Sequence, residues 1–301
     1  MSNAVVLSER DLSLLRLLEM TPATAAQIRK TSITFPGEPF RDERRVRERL
    51  QALAAAELVR AWPAAISGGG LMHYYRLTAA GFRSIHPECT DAPPRTLISE
   101  IAPSRFQHAL ATAEVIVHTI VACHESRVRI LRFHGDGRLT LSAGSYVQQP
   151  DCHFQFEQSE RIFNVLFEVD NATEPVDSTR TSSIKSKLLG YEAYQDWVWD
   201  NWRRGSRQGQ RPFFRVVFLT RSVERAIHIL WCAKHCARNP ARRLCYASTQ
   251  DVYLAEHRAV STAFLNDHHG GWQSLVNVHP SSTVLRSPIR LTAPPMHSAI
   301  S

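Results

Sequence analysis

No stretch of this sequence approaches the roughly 18 consecutive apolar residues of a bilayer-spanning helix, so no membrane partner is expected. Its opening, MSNAVVLSERDLSLLRLLEM, lacks the basic n-region of a secretion signal, and its apolar residues recur at helical spacing instead. A cytoplasmic location is the simplest expectation. The six cysteines include no CxxC pair. Cys232 and Cys236 lie four apart around His235 in a helical-looking segment, but a zinc site draws ligands from more than one element, so reduced thiols are expected. Acidic residues are the scarcer charge: 28 Asp and Glu against 36 Lys and Arg leave a net +8. A basic balance suits a polyanion, because cationic side chains on phosphates release condensed counterions. With 301 residues and 44% hydrophobic content, about two globular domains are expected.

The first domain is expected over residues 1–90. SERDLSLLRLLEM places Leu12, Leu15 and Leu18 on one helical face with Ser8 as N-cap. Thr21 and Pro22 break the chain before a short second helix over about 24–30. Asp42 then caps a third helix, DERRVRERLQALAAAELV, with Val46, Leu50 and Leu53 inward and Arg44, Arg45, Arg47 and Arg49 in its first half. VRAWP, a glycine-rich tip and HYYRLT read as a β-hairpin. Helix, helix, basic helix, hairpin is the order of a winged helix-turn-helix, and YYRLTAAGFRSI resembles the end of many bacterial winged-helix regulators. In that arrangement the third helix enters the major groove, making Arg44, Arg45, Arg47 and Arg49 candidates for double-stranded DNA contacts. The other reading is a solvated face, with Glu43 and Glu48 pairing the arginines at helical spacing. His73 and Arg76 are the nearest further candidates, since the tip from Ser67 to Gly70 carries no Lys or Arg.

HPECTDAPPRTL holds three prolines without apolar periodicity and reads as a linker near residues 86–97. The second domain, expected over 98–301, opens with a long amphipathic helix from about 104 to 125. The strand-like RVRILRF, RLTLSA, CHFQFE and IFNVLFEVD follow, then a helix over SSIKSKLLGYEAYQDWVWD, the strand FFRVVFLT and a further helix. That order implies a mixed-sheet α/β domain, making the whole chain α+β or α/β.

Its chemistry concentrates in QPDCHFQFE and NVLFEVDN. Residues two apart on a strand share a face, so one hairpin can gather Asp151, Glu168 and Asp170 at one sheet end. Converging carboxylates imply a bound cation or raised pKa values, and hard oxygen ligands suit Mg²⁺, the metal of phosphodiester hydrolysis. The alternatives are that Asp151 is a turn residue after Pro150 and that Asp170 simply ends its strand. Glu168 lies inside an apolar strand, where a lone carboxylate would be costly, so it needs a partner or a metal. His108 reads as a hydrogen-bonded core histidine, Asn266-Asp267-His268-His269 as a turn, and Trp197, Trp199 and Trp202 as core or interface. Arg203, Arg204, Arg207 and Arg211 form a loop able to add phosphate contacts.

Pro150-Asp151 followed by Glu168-Val169-Asp170 resembles the PD-(D/E)xK nuclease superfamily, with Asp170 standing where that pattern expects lysine. The resemblance implies a metal held by Asp151, Glu168 and Asp170 and a lysine supplied from the next helix, Lys187 in preference to Lys185, with Glu114 as a further acid. More of the chain resembles the replication-relaxation family of bacterial plasmids and mobile elements, through FQHALATAEV, QPDCHFQFE, NVLFEVDNATEPV, KSKLLGYEAY and FFRVVFLT. This implies a DNA-binding protein acting in replication, relaxation or transcription control, with a nuclease-fold rear domain. The alternative is a Mg²⁺-dependent endonuclease or nickase using Asp151, Glu168, Asp170 and Lys187. Homodimerisation and a replication or conjugation protein are the further partners implied.

Overall fold

A computed structural model describes residues 6–65, 69–135, 137–172, 174–178, 183–205, 213–239, 241–261 and 265–276. The wing-tip residues 66–68 and the arginine-loop residues Arg207 and Arg211 lie outside them. The chain packs as two compact units, Met1–Val121 and Ala122–Ser301.

In the first unit the sequence signals become caps. Ser8 and Asp11 form a capping box that starts α1 (Glu9–Met20), and Thr24 and Gln27 form a second one, joining β1 (Ala23–Thr24) to α2 (Ala25–Thr31). Asp42 accepts the Arg45 amide to open α3 (Glu43–Ala55), which buries Val46, Leu50 and Leu53. β2 (Val59–Ala65) and β3 (Leu71–Leu77) form the antiparallel hairpin, and β1 adds on β3 to give the order β1-β3-β2. The observed order is thus helix, helix, helix, hairpin, with a short strand before the second helix. Leu14, Leu18, Ile28, Val46, Leu50 and Leu77 meet in its core.

α4 (Ala79–Ile85) follows, capped by Thr78. Its Gly81 is required by proximity: a Cβ there would stand 1.9 Å from the Leu58 carbonyl oxygen. Gly81→Ala is therefore expected to lower stability by about 1–3 kcal/mol, read as a drop in the unfolding midpoint, because the atom it meets is backbone and cannot rotate away.

The stretch expected to be a linker is docked instead. α5 (Arg95–Ile98) buries Leu97 in the first core, and the Arg76 guanidinium donates to the Ser99 and Thr96 carbonyls. The Ile101 amide donates to the Tyr74 hydroxyl at 2.9 Å. α6 (Pro103–Ser126) comes next. An 18-residue window of it reaches mean hydropathy 1.3, so by length and composition it is apolar enough to cross a membrane. This corrects the expectation that no stretch comes near. The window is 61% buried inside the protein, as in a core helix.

The second unit holds β4 (Arg129–His134), the hairpin β5 (Leu141–Ala143) and β6 (Tyr146–Gln148), β7 (Cys152–Gln158), β8 (Arg161–Val169) and α7 (Ile184–Arg204). Then come β9 (Phe214–Thr220), α8 (Val223–Cys236), β10 (Cys245–Thr249), α9 (Gln250–Ala255), β11 (Leu265–Asp267) and β12 (Trp272–Gln273). The main sheet runs β12-β11-β10-β9-β8-β7-β4 and is mixed, as expected. β8, β9 and β10 are parallel, joined through α7 and α8, while β7 is antiparallel to β8. The β7–β8 turn, Ser159-Glu160, has both φ angles positive, the twist that suits a two-residue hairpin. Tyr191, Leu188, Phe214, Phe218, Leu166 and Ile229 form the core between sheet and helices.

Candidate functional site

Open parallel sheets bind ligands beyond the carboxyl ends of their strands. Here that end of β8 carries Glu168. β7 pairs Cys152 with Phe167, so Asp151, one residue before β7, lies opposite Glu168. The Asp151 amide donates to the Phe167 carbonyl at 3.0 Å, and its carboxylate accepts the Val169 amide at 2.6 Å.

α7 supplies the remainder. Ser183 caps it, and Lys187 and Tyr191, one turn apart, share a face. Lys187 Nζ lies 2.9 Å from Glu168 Oε2, and the Tyr191 hydroxyl donates to Glu168 Oε1. Lys187 Nζ also reaches Glu174 Oε2 at 3.0 Å. Burial drives the Glu168 carboxyl upward; Lys187 opposes that and Asp151 adds to it, with the outcome a pKa pushed up to about 7. Burial works against the Lys187 ammonium, but Glu168 and Glu174 outweigh it and hold its pKa above the ordinary lysine value.

Asp170 is not brought into this cluster. Arg225 on the first turn of α8 takes its carboxylate with Nε and with Nη2, the latter at 2.8 Å, and also donates to the Glu174 carbonyl at 2.6 Å. Among the described residues, no group of three or more His, Cys, Asp or Glu side chains is placed to hold a metal ion. Of the three carboxylates expected to converge, the structure brings Asp151 and Glu168 together, while the Arg225 guanidinium takes Asp170. Two carboxylates facing one another beside a single lysine still fit a hard divalent cation such as Mg²⁺, which takes one or two carboxylates and fills its other positions with water and phosphate oxygens. Lys185 pairs with Asp177 at 2.8 Å and Glu114 accepts from Gln27 at 2.8 Å, so neither joins the cluster. Tyr191 is the residue that sequence reasoning missed; its spacing from Lys187 was the available signal.

In the first unit, Arg44, Arg45 and Arg47 are exposed on α3 and pair along the helix with Glu48 and Glu43. Exposed pairs of this kind are worth about 0–1 kcal/mol and are readily exchanged for a phosphate. Arg49 is different: its Nε and Nη2 each lie 2.6 Å from an oxygen of buried Asp11. It ties α3 to α1, which removes it from the candidate DNA contacts. Arg76 is removed as well, since it is buried and engaged with the Thr96 and Ser99 carbonyls. His73 remains exposed on β3.

The other residues singled out in the sequence are placed as follows, with Trp197 47% exposed and so outside the core. All six cysteines are free thiols. Asp267 accepts the His269 and Gly271 amides, forming the turn expected there. Trp197 stacks on Tyr194, Arg242 lies over Trp199, and Arg203 pairs with Asp200.

A polar strip, buried at His153, Gln155 and Asn164 and half-buried at His134, crosses the same face of the sheet. His134 and His153 approach Nδ1 to Nδ1 at 3.0 Å, and Asn164 Oδ1 lies 2.9 Å from Gln155 Nε2. Burial first, then His134, holds the His153 pKa down to about 3. Its folded value lies below the unfolded one, so its contribution is complete above about pH 6.5 and is lost as pH falls from there toward 3. About 3 kcal/mol should disappear between about pH 7.5 and 4.5 in urea titrations. Glu168 works in the opposite direction over the same window, so the difference from His153→Gln isolates the histidine; an identical pH dependence in that variant would refute the assignment.

The two units define a class: a helical unit with a small three-stranded sheet, and a mixed-sheet α/β unit with a carboxylate–lysine cluster at its strand ends. Residues 14–206 match the family model described as replication-relaxation, and the chain belongs to that family. No curated protein matches it. Among solved structures it is similar to the restriction endonuclease FokI at 11% identity and a TM-score of 0.27, over 83% of this chain and 43% of that one.

Proposed function

We propose that this chain binds duplex DNA through α3 of its first unit and cleaves phosphodiester bonds at Asp151, Glu168 and Lys187 of its second. The observation that carries the cleavage reading is the 2.9 Å approach of Lys187 Nζ to Glu168 Oε2 at the strand ends, opposite Asp151. Asp151 and Glu168 would hold Mg²⁺, which when bound polarises a phosphate oxygen and eases ionisation of water. Tyr191 and Lys187 take one Glu168 oxygen each and so fix the carboxylate plane. Lys187 places positive charge where a phosphate would carry negative charge. The family description, replication-relaxation, agrees with a DNA substrate.

Incubating supercoiled plasmid with the protein and Mg²⁺ or Mn²⁺ tests this. Nicked or linear product is expected from the wild type and none from Glu168→Gln or Asp151→Asn, with gel shifts of the same duplex unchanged. A plasmid left intact by protein that still shifts DNA would favour a second reading, a DNA-binding scaffold; the withdrawal of Asp170 by Arg225 is the observation on that side.

A further inference from the structure

We infer that α8 is a homodimer interface, with two copies packed antiparallel through its exposed ridge. Val223, Ile227 and Trp231 recur every four residues and are 57%, 61% and 53% exposed, while the opposite face buries Ala226, Ile229, Cys232 and Ala233 in the core. Single exposed apolar residues are ordinary, but three in line on one ridge mark a surface with an occupant. His235 extends the ridge, its ring 4.0 Å from that of Trp231.

The charge pattern selects a second copy as the occupant. Glu224 stands in the first turn of α8, and Lys234 and His235 in the last. A two-fold axis level with Ile229 sets Ile227 against Trp231 of the partner subunit and brings Glu224 to the level of Lys234 of the partner subunit. Both ends then meet opposite charge, and the helix dipoles run antiparallel. A parallel pairing would place like charges together at each end. α8 is also tied to the candidate site, because its Arg225 holds Asp170, two residues beyond Glu168. If the proposed cleavage is right, the dimer presents two related sites to the two strands of a duplex. The dimer itself does not depend on that reading.

Sedimentation of the full chain over about three decades of concentration around micromolar tests the inference without DNA or metal. The mass should rise from 34.1 kDa toward twice that value. Ile227→Asp and Trp231→Ser should stay monomeric with unchanged circular dichroism and melting, since both side chains are mostly exposed. Glu224→Lys and Lys234→Glu should each weaken association about fivefold, and the double swap should restore it. A wild type that stays monomeric would overturn the inference. So would a dimer indifferent to Ile227→Asp and Trp231→Ser, or a charge swap without rescue.

Discussion

Lys187→Met is expected to reduce Mg²⁺-dependent plasmid cleavage by about 10²–10³ and, near pH 8, to lower stability by about 3 kcal/mol. The two losses share one cause. Glu168 is buried at the end of β8, and Lys187 is the cation that meets it there. With a methionine in its place the carboxylate keeps the Tyr191 hydroxyl and faces Asp151 without compensation. The pH dependence follows from the sign of the Glu168 shift. Its folded pKa, about 7, lies above the ordinary 4.5, so protonation favours the folded state. That contribution is complete below about 4.5 and is lost as pH rises through about 7. Lys187 already holds that folded value down in the wild type; in Lys187→Met, with only the Tyr191 hydroxyl left to oppose burial, the folded value rises further and more stability is lost as pH rises. The variant's melting deficit should therefore be large near pH 8 and shrink near pH 5, where Glu168 carries a proton. A deficit independent of pH would show that Lys187 packs rather than pairs. Glu168→Gln separates the two roles: it should abolish cleavage with little loss of stability, because a neutral amide needs no counter-ion.

What was legible in the sequence was local. Ser8 and Asp42 announce helix starts because a cap and its amide lie within one turn, and Val46, Leu50 and Leu53 announce a face because a helix repeats every turn. The hairpin between Cys152 and Val169 can be read from two apolar runs around a short turn, which gathers Asp151, Glu168 and Asp170 at one sheet end; the structure sets Asp151 opposite Glu168. KLLGY, which resembles a family string, favours Lys187 over Lys185, and the fold brings Lys187 to Glu168. What was not legible were pairings across long separations. Nothing near Arg49 says that Asp11, 38 positions earlier, lies buried beside it. Nothing near Asp170 says that Arg225, 55 positions later, claims it. The prolines of residues 86–97 imitate a linker because local composition does not reveal that Arg76 waits for the carbonyls of Thr96 and Ser99. In each case the partner that decides the role of an arginine or an acid lies far away in the sequence.

That distinction among arginines gives the second large expectation. Arg44→Ala, Arg45→Ala and Arg47→Ala together should weaken duplex binding by about 10²–10³ near physiological salt and leave the melting temperature almost unchanged. Each lost phosphate contact should also flatten the slope of log affinity against log salt by about 0.9. All three side chains are exposed, and the pairs they surrender to Glu43 and Glu48 contribute about 0–1 kcal/mol each. Arg49→Ala should do the reverse. Removing it leaves the Asp11 carboxylate buried without its guanidinium, a loss of about 3–5 kcal/mol. Any loss of DNA binding should then follow unfolding of the first unit rather than precede it. The Asp11 pKa sharpens the contrast. Burial tends to raise it, but Arg49 and Ser8 outweigh burial and hold it below the ordinary aspartate value. The stabilisation is therefore full above about pH 3.8 and is lost as pH falls through the lower folded value. Acid titrations of the wild type should show that loss and Arg49→Ala should show less of it. Fluorescence anisotropy across a salt series, run beside thermal melts of the same variants, separates a helix that grips DNA from one that holds its own domain together. A triple variant that melts early while keeping its salt slope would reverse the assignment of all four arginines.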